Sequence, residues 1–318
     1  MLPSSKNVVL RADDLVSLTY TGEFGFELTT LLPYAYHLYE SGRLNSTVGC
    51  GKMHPFYYFS PQHNDLEECH RKYTDSKVLT HQHGFPLWWG NWDSAEWARW
   101  RPPPLRSEYQ NRPLPAGWPQ ALSWESLALR PLVMIHNKHT FEWAGKPLNT
   151  IELPCLERLF SILTAHFTVV YSRLEMNATQ GGDNQASWPF EDYKLIKEWT
   201  PVHANASRPI LVQDLPGDLN LVQLLVNSRA TRFISVQGGS MVLPTYFGGA
   251  HIIMHKGGFE LTNNAYESAF PRLGGAFITT VFTCDELEER VNDVFVKTHV
   301  AMSSHKEYLL ENRRFTEY

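Results

Sequence analysis

Three short stretches carry the residue types that hold and neutralise a phosphorylated ligand. The first is Gln237-Gly238-Gly239-Ser240, directly after the apolar, β-branched run Phe233-Ile-Ser-Val236. That run reads as a buried strand, and 241–247 as a short helix with Ser240 as its N-cap. A strand, a glycine turn and a helix start leave unpaired N–H groups beside the positive end of the helix dipole. Glycine has no Cβ, so an anion can approach the main chain. The second stretch, His255-Lys256-Gly257-Gly258-Phe259-Glu260, follows the apolar run His251-Ile-Ile-Met254. The third, His136-Asn137-Lys138-His139, follows Leu132-Val-Met-Ile135 and precedes Glu142-Trp143. If the three strands are parallel neighbours, Lys138 and Lys256 offset the charge of a diphosphate. Gly238, Gly239 and Ser240 then donate main-chain N–H groups, with Gln237, His255 and Gly258 beside them. Asn137, Glu142, Trp143 and Glu260 are placed to meet sugar hydroxyls and ring faces. The competing reading makes these ordinary βαβ turns, with glycines for packing and solvated polar residues.

The amino-terminal half offers a different chemistry. Gly22-Glu23-Phe24-Gly25-Phe26-Glu27 opens a helix over 27–40. Gly22 and Gly25 let a ligand lie near the main chain, and Glu23 is a candidate general base for a hydroxyl proton. Glu27 fits better as a first-turn carboxylate that stabilises the helix dipole. Tyr57-Tyr-Phe-Ser-Pro-Gln-His63-Asn-Asp65 supplies a histidine with an orienting carboxylate, although most of the fourteen histidines must be structural. His81-Gln-His83 is spaced like strand-borne metal ligands, but no third ligand is near in sequence, so no metal is expected. The stretch from Trp88 to Trp100 holds five of the ten tryptophans. Indole faces stack on sugar rings: Trp89 and Trp92 are the candidates for that, and Asp93 for a neighbouring hydroxyl or the base. Aromatic packing of a loop-rich region is the alternative.

The elements that must position these residues read as an α/β chain. Strands are predicted at 7–11, 47–50, 56–59, 132–135, 167–171, 210–213, 231–236, 251–254 and 276–282. Helices are predicted at 27–40, 153–166, 219–228, 285–296 and 305–313, the fourth capped by Thr283 or Asp285. From 132 onward strands and helices alternate, which implies a doubly wound parallel sheet with its ligand at the strand carboxyl ends. Residues 61–120 are irregular, aromatic and proline-rich, as site-bearing loops are. A domain boundary is expected near Leu127: residues 1–127 form a loop-rich first domain, 128–300 a ligand-binding domain, and 301–318 a terminal helix able to pack back on the first domain.

With 318 residues and 43% hydrophobic residues, the chain can fill one large core or two of ordinary size. A net charge of −5 with no basic run argues against nucleic acid. No apolar run approaches the roughly 20 residues that cross a bilayer. Cys50, Cys69, Cys155 and Cys284 are scattered without a CxxC pair, which predicts reduced thiols and a cytoplasmic protein. On that reading the sequons at Asn45, Asn177 and Asn205 stay unused.

Several stretches together resemble a family of GT-B-type glycosyltransferases from large algal viruses, protists and some bacteria. They are Thr21-Gly-Glu-Phe-Gly-Phe-Glu-Leu28, Tyr57-Tyr-Phe-Ser60 with His63, the run from Trp100 to Pro104, Val133-Met-Ile-His-Asn-Lys138 with Glu142-Trp143, and the run from Phe233 to Ser240 with Phe247-Gly-Gly249. The likeness is to the chlorovirus enzymes that build capsid-protein glycans, a xylosyltransferase among them. It implies two Rossmann-like domains facing a cleft. A UDP- or GDP-linked sugar would lie on the second domain, and a glycan or glycoprotein acceptor on the first. No motif assigns the base among Glu23, His63 and Asp93. The chain has no Asp-x-Asp pair of the kind that holds a metal on the diphosphate in the other large glycosyltransferase architecture. A nucleotide-sugar epimerase and a non-catalytic carbohydrate-binding protein are the rival functions.

Overall fold

A computed structural model describes residues 15–67, 69, 71, 99–139, 150–173, 190–201, 206–257, 261 and 265–300. The expected strand at 7–11 and helix at 305–313 lie outside them. Two parallel sheets organise the chain. In the first, Val16–Thr19 (β1), Leu44–Cys50 (β2) and His63–Leu66 (β3) pair in that order. One continuous helix, residues 24–40 (α1), joins β1 to β2, and its turn Glu27–Leu31 is π-helical. There Thr29 and Thr30 bond their hydroxyls back to the carbonyls of Gly25 and Phe26, and Pro33 has no N–H to give.

The expected strand at 56–59 is a run of turns, and the real third strand is the polar His63–Leu66. The aromatics of 56–59 serve the core: Phe56, Tyr57 and Phe59 are buried against α1. Beyond the loops come Leu105–Tyr109 (α2) and Trp124–Leu129 (α3). Leu127, the expected boundary, lies inside α3.

The second sheet has six strands: Leu132–Asn137 (β4), Thr168–Arg173 (β5), Ile210–Leu211 (β6), Arg232–Val236 (β7), Ala250–Met254 (β8) and Phe277–Val281 (β9). All are parallel, in the order β6-β5-β4-β7-β8-β9. The period of two divides β4 cleanly. Val133 and Ile135 face a core with Leu153–His166 (α4), through Leu156, Leu159, Phe160 and Leu163. Leu132 and Met134 face the other core, which continues through Leu219–Arg229 (α5) into the first domain. Each such side chain stabilises the fold by roughly 1.5–3 kcal/mol on burial. After β7 a single 3-10 turn, Gly239–Met241, leads into Val242–Thr245 (α6). Cys284–Val291 (α7) is capped by Thr283, whose hydroxyl accepts from Glu286 N at 3.2 Å.

The two domains are tied directly. On α2, Arg106 donates to the carbonyls of Ser228 (3.1 Å), Ala230 (2.6 Å) and Phe247. Asn220 Nδ2 donates to Lys52 O at 2.7 Å, and Trp118 Nε1 to Pro216 O at 3.0 Å. The thiol expectation is overturned, because all four cysteines pair. Cys50 is bonded to Cys69, and Cys155 to Cys284. The second bond staples α4 to α7 on one face of the large sheet, where Arg158 also meets Asp285 at 3.1 Å and Glu288 at 2.7 Å.

Candidate active site

The strand order of the large sheet fixes where a ligand fits. From β4 the chain winds outward through β5 to β6, then returns to β7 and winds the other way through β8 to β9. Between β4 and β7 the connections part, and a crevice opens at the strand carboxyl ends. The register pairs His136 with Ser235, so Asn137-Lys138 and Val236-Gln237-Gly238 leave the sheet side by side. Two of the three stretches singled out in the sequence thus meet at the switch point, and His255-Lys256 follows on the next strand.

Gly238 has φ 115° and ψ −179°, a conformation essentially reserved for glycine. A Cβ on Gly238 would lie 3.2 Å from Lys138 Nζ, so the half-buried ammonium sits beside bare main chain. Gly238 precedes the 3-10 turn in the capping position, and Ser240 lies within the turn, which corrects the expected cap. The buried Ser240 Oγ has no hydrogen-bond partner among the described residues.

The neighbouring polar residues brace this cradle. Asn137 is 2% exposed. Its Nδ2 donates to Ile151 O (3.0 Å) and Tyr171 OH (2.9 Å); its Oδ1 accepts from Lys138 N (2.9 Å) and Ile151 N (2.8 Å). It therefore aims the lysine and has no atom left for a sugar. The buried Gln237 accepts through Oε1 from Lys256 N (2.7 Å) and Gly257 N (3.0 Å), which closes the loop after β8. His255 is also buried, 3.3 Å from Tyr266 OH, and burial holds its pKa below the usual value. Lys256 Nζ pairs with Glu152 at 3.0 Å, so its charge already has a partner.

Across the cleft, the start of α1 faces the glycine turn. An ideal Cβ on Gly239 would lie 3.0 Å from Gly25 N and 3.2 Å from Gly25 Cα. Gly25, expected to make room for an acceptor, makes room for the other domain. Glu23 precedes α1 in an extended conformation, and its carboxylate does not cap the helix. Its carbonyl accepts from Tyr20 OH (2.9 Å) and Glu27 N (3.1 Å). Gly22 O accepts from Arg71 Nη1 at 2.8 Å.

Arg71 is the residue that sequence reasoning missed. Its guanidinium lies 2.5 Å from Glu27, and both side chains are fully covered. Tyr57 OH adds a hydrogen bond of 2.9 Å to Glu27. Glu27 is thus no surface carboxylate at a helix end but the anion of a buried pair. Burial pushes its pKa up, and Arg71 and Tyr57 pull against that. Through Gly22, the same arginine holds the loop that carries Glu23. Cys69, two residues before Arg71, is bonded to Cys50 and so brings this segment against β2; no signal in the sequence marks that pairing.

His63 is corrected as a base. Its Nδ1 is 2.7 Å from Thr47 Oγ1 and its Nε2 3.1 Å from Asp65. The ring stacks on Tyr57 with centroids 4.7 Å apart, and its side chain has 0% exposure. Burial lowers its pKa, with Asp65 opposing. Such a ring ties β2 to β3. Trp89, Trp92, Asp93, Glu142, Trp143, Gly258 and Glu260 lie outside the described residues, as do His81 and His83. Among the described residues, no three His, Cys, Asp or Glu side chains cluster as metal ligands. No described helix is long and apolar enough to cross a membrane.

The chain matches no protein-family model and no curated protein sequence. Among solved structures it is similar to the ADP-heptose LPS heptosyltransferase II of E. coli, with TM-score 0.50 and 9% identity over 89% of this chain and 99% of that one. A glycosyl transferase family 9 protein from Veillonella parvula DSM 2008 aligns with TM-score 0.48 and 11% identity, covering 87% of this chain and 88% of that one. A UDP-N-acetylglucosamine 2-epimerase aligns with TM-score 0.36 and 9% identity, covering 87% and 94%. At these identities the likeness is one of fold: the chain is an α/β protein of two Rossmann-like domains facing a cleft, GT-B-like, as its sequence led us to expect.

Proposed function

We propose that the chain is a glycosyltransferase that moves a sugar from a nucleotide-sugar donor to a glycan hydroxyl, with inversion and without a metal. The observation that carries this reading is the Lys138 ammonium held against the Gly238 main chain at the switch point. A fold shared with a heptosyltransferase supports glycosyl transfer in general. The donor is UDP- or GDP-linked, and the sugar is a hexose or a pentose such as xylose.

In this reading the acceptor O–H gives its proton to Glu23 or Asp93, and the oxygen attacks the anomeric carbon. The bond from that carbon to the diphosphate oxygen breaks, and its electrons leave with the nucleoside diphosphate. Lys138 meets the charge that develops there, with the main chain of Gly238 to Ser240 beside it. Inversion follows because the nucleophile enters opposite the leaving group in a single displacement. Lys256 has to leave Glu152 before it can contribute.

A melting screen against UDP, GDP, ADP and their sugars tests donor binding, because a ligand of the folded state raises the midpoint by mass action. Wild-type protein should respond to one nucleotide, and Lys138→Ala should lose that response while still melting cooperatively. Transfer to a glycan acceptor should disappear in the same variant. Conversion of the donor sugar without an acceptor would point to an epimerase and overturn the proposal.

A further inference from the structure

All four cysteines are bonded in pairs, one pair in each domain. Such pairing is the mark of an oxidising compartment, since glutathione and thioredoxin keep thiols reduced elsewhere. The strand that ends in Cys50 begins with a sequon, Asn45-Ser46-Thr47. Asn45 is exposed, and its Nδ2 donates to Ser17 Oγ at 3.0 Å on the surface of β1. It stands at the amino end of β2. The switch-point crevice is at the carboxyl ends of strands, so a chain of sugars on Asn45 leaves it open.

We propose that Asn45 carries an N-linked glycan and that the chain matures in an oxidising lumen. The glycan donor is a lipid diphosphate-linked oligosaccharide. A bond forms between Asn45 Nδ2 and the first anomeric carbon, the bond from that carbon to the diphosphate breaks, Nδ2 gives up one proton, and the lipid diphosphate leaves. The modified amide keeps one N–H. Each cystine forms by exchange with an oxidised disulfide carrier, which takes two electrons and two protons from a pair of thiols. Transfer to Asn45 precedes folding. In the folded chain Thr47 is 2% exposed, and its hydroxyl is bonded to Ser60 Oγ at 2.9 Å and His63 Nδ1 at 2.7 Å. The enzyme that reads the sequon needs that hydroxyl accessible.

The test is expression of the full chain behind a secretory leader in eukaryotic cells. Protein from the medium and the secretory membranes together is alkylated without reduction and peptide-mapped. Near-complete glycan occupancy at Asn45 is expected, with peptide-N-glycosidase converting that residue to Asp. The Cys50–Cys69 and Cys155–Cys284 peptides should appear cross-linked and unalkylated. Asn45→Gln should lose the Asn45 glycan alone and, once both proteins are enzymatically deglycosylated, share the melting midpoint of wild type. Site-resolved mapping keeps Asn177 and Asn205, which lie outside the described residues, from confusing the result. An unmodified Asn45 peptide, or alkylated cysteines, overturns the proposal.

Discussion

Adding one methyl group at Gly238 probes the proposed donor cradle at its centre. Gly238→Ala places a Cβ where φ is 115° and ψ −179°, a region that costs a residue with a side chain about 1–3 kcal/mol. That lowers the melting midpoint by a few degrees. The new carbon would also sit 3.2 Å from Lys138 Nζ and 3.7 Å from its Cδ. The lysine, as the flexible partner, is the group that moves. A charge-assisted hydrogen bond is worth about 1.5–3 kcal/mol, so loss of the one between Lys138 and the diphosphate should weaken nucleotide binding roughly 10- to 150-fold. Isothermal titration with the nucleotide that shifts the wild-type midpoint reads this directly. Gly257→Ala is the control, because a Cβ there meets nothing within 4 Å. If Gly238→Ala binds nucleotide as wild type does, or Gly257→Ala weakens binding as much, the cradle is misplaced.

Arg71→Met should destabilise the chain by about 3–5 kcal/mol in urea titrations, because Glu27 is left buried without its partner. The loss should grow as pH rises above 4.5, where an unfolded glutamate ionises freely, and adding Glu27→Gln should recover much of it. His136 and His251 are wholly buried, and burial brings their pKa values to about 4 and about 3. The unfolded chain therefore binds protons first, and their contribution to stability is intact above pH 6.5 and fades as pH falls. At pH 5 each should have lost about 2 kcal/mol, so His251→Asn should flatten the drop in unfolding free energy between pH 7 and pH 5; an unchanged slope counts against this. Removing Cys155–Cys284, which spans 129 positions, should cost about 5 kcal/mol, against about 3 kcal/mol for Cys50–Cys69, which spans 19. Paired Cys→Ala variants compared by denaturant midpoint should keep that order.

The large sheet was legible in the sequence because its four inner strands, β5, β4, β7 and β8, are buried on both faces. Val133, Ile135, Ile234 and Ile252 stand in short apolar, β-branched runs that end abruptly in polar residues, and those ends are where the crevice forms. The smaller sheet was harder to read. β3 is His-Asn-Asp-Leu, with nothing in its composition to mark a strand, and the aromatic run before it packs as turns around Glu27. Long-range pairing was invisible for a simple reason: spacing in sequence carries no information about which distant side chain meets which. Glu27 with Arg71, Lys256 with Glu152 and both cystines are all contacts of this kind. Asn137 and Gln237 were recognised as special for a ligand, and in the structure their amide oxygens hold loop main chain. Amide side chains at strand ends can serve a ligand or the loop, and only the count of occupied atoms decides.

The three carbonyls that Arg106 gathers belong to the end of α5, the step into β7 and the turn before β8. All are main-chain atoms, so the one guanidinium fixes three backbone segments of the second domain against α2, beside the ties from Asn220 and Trp118. A single side chain thus works as a rivet through three stretches of backbone, and replacing it would loosen all three together.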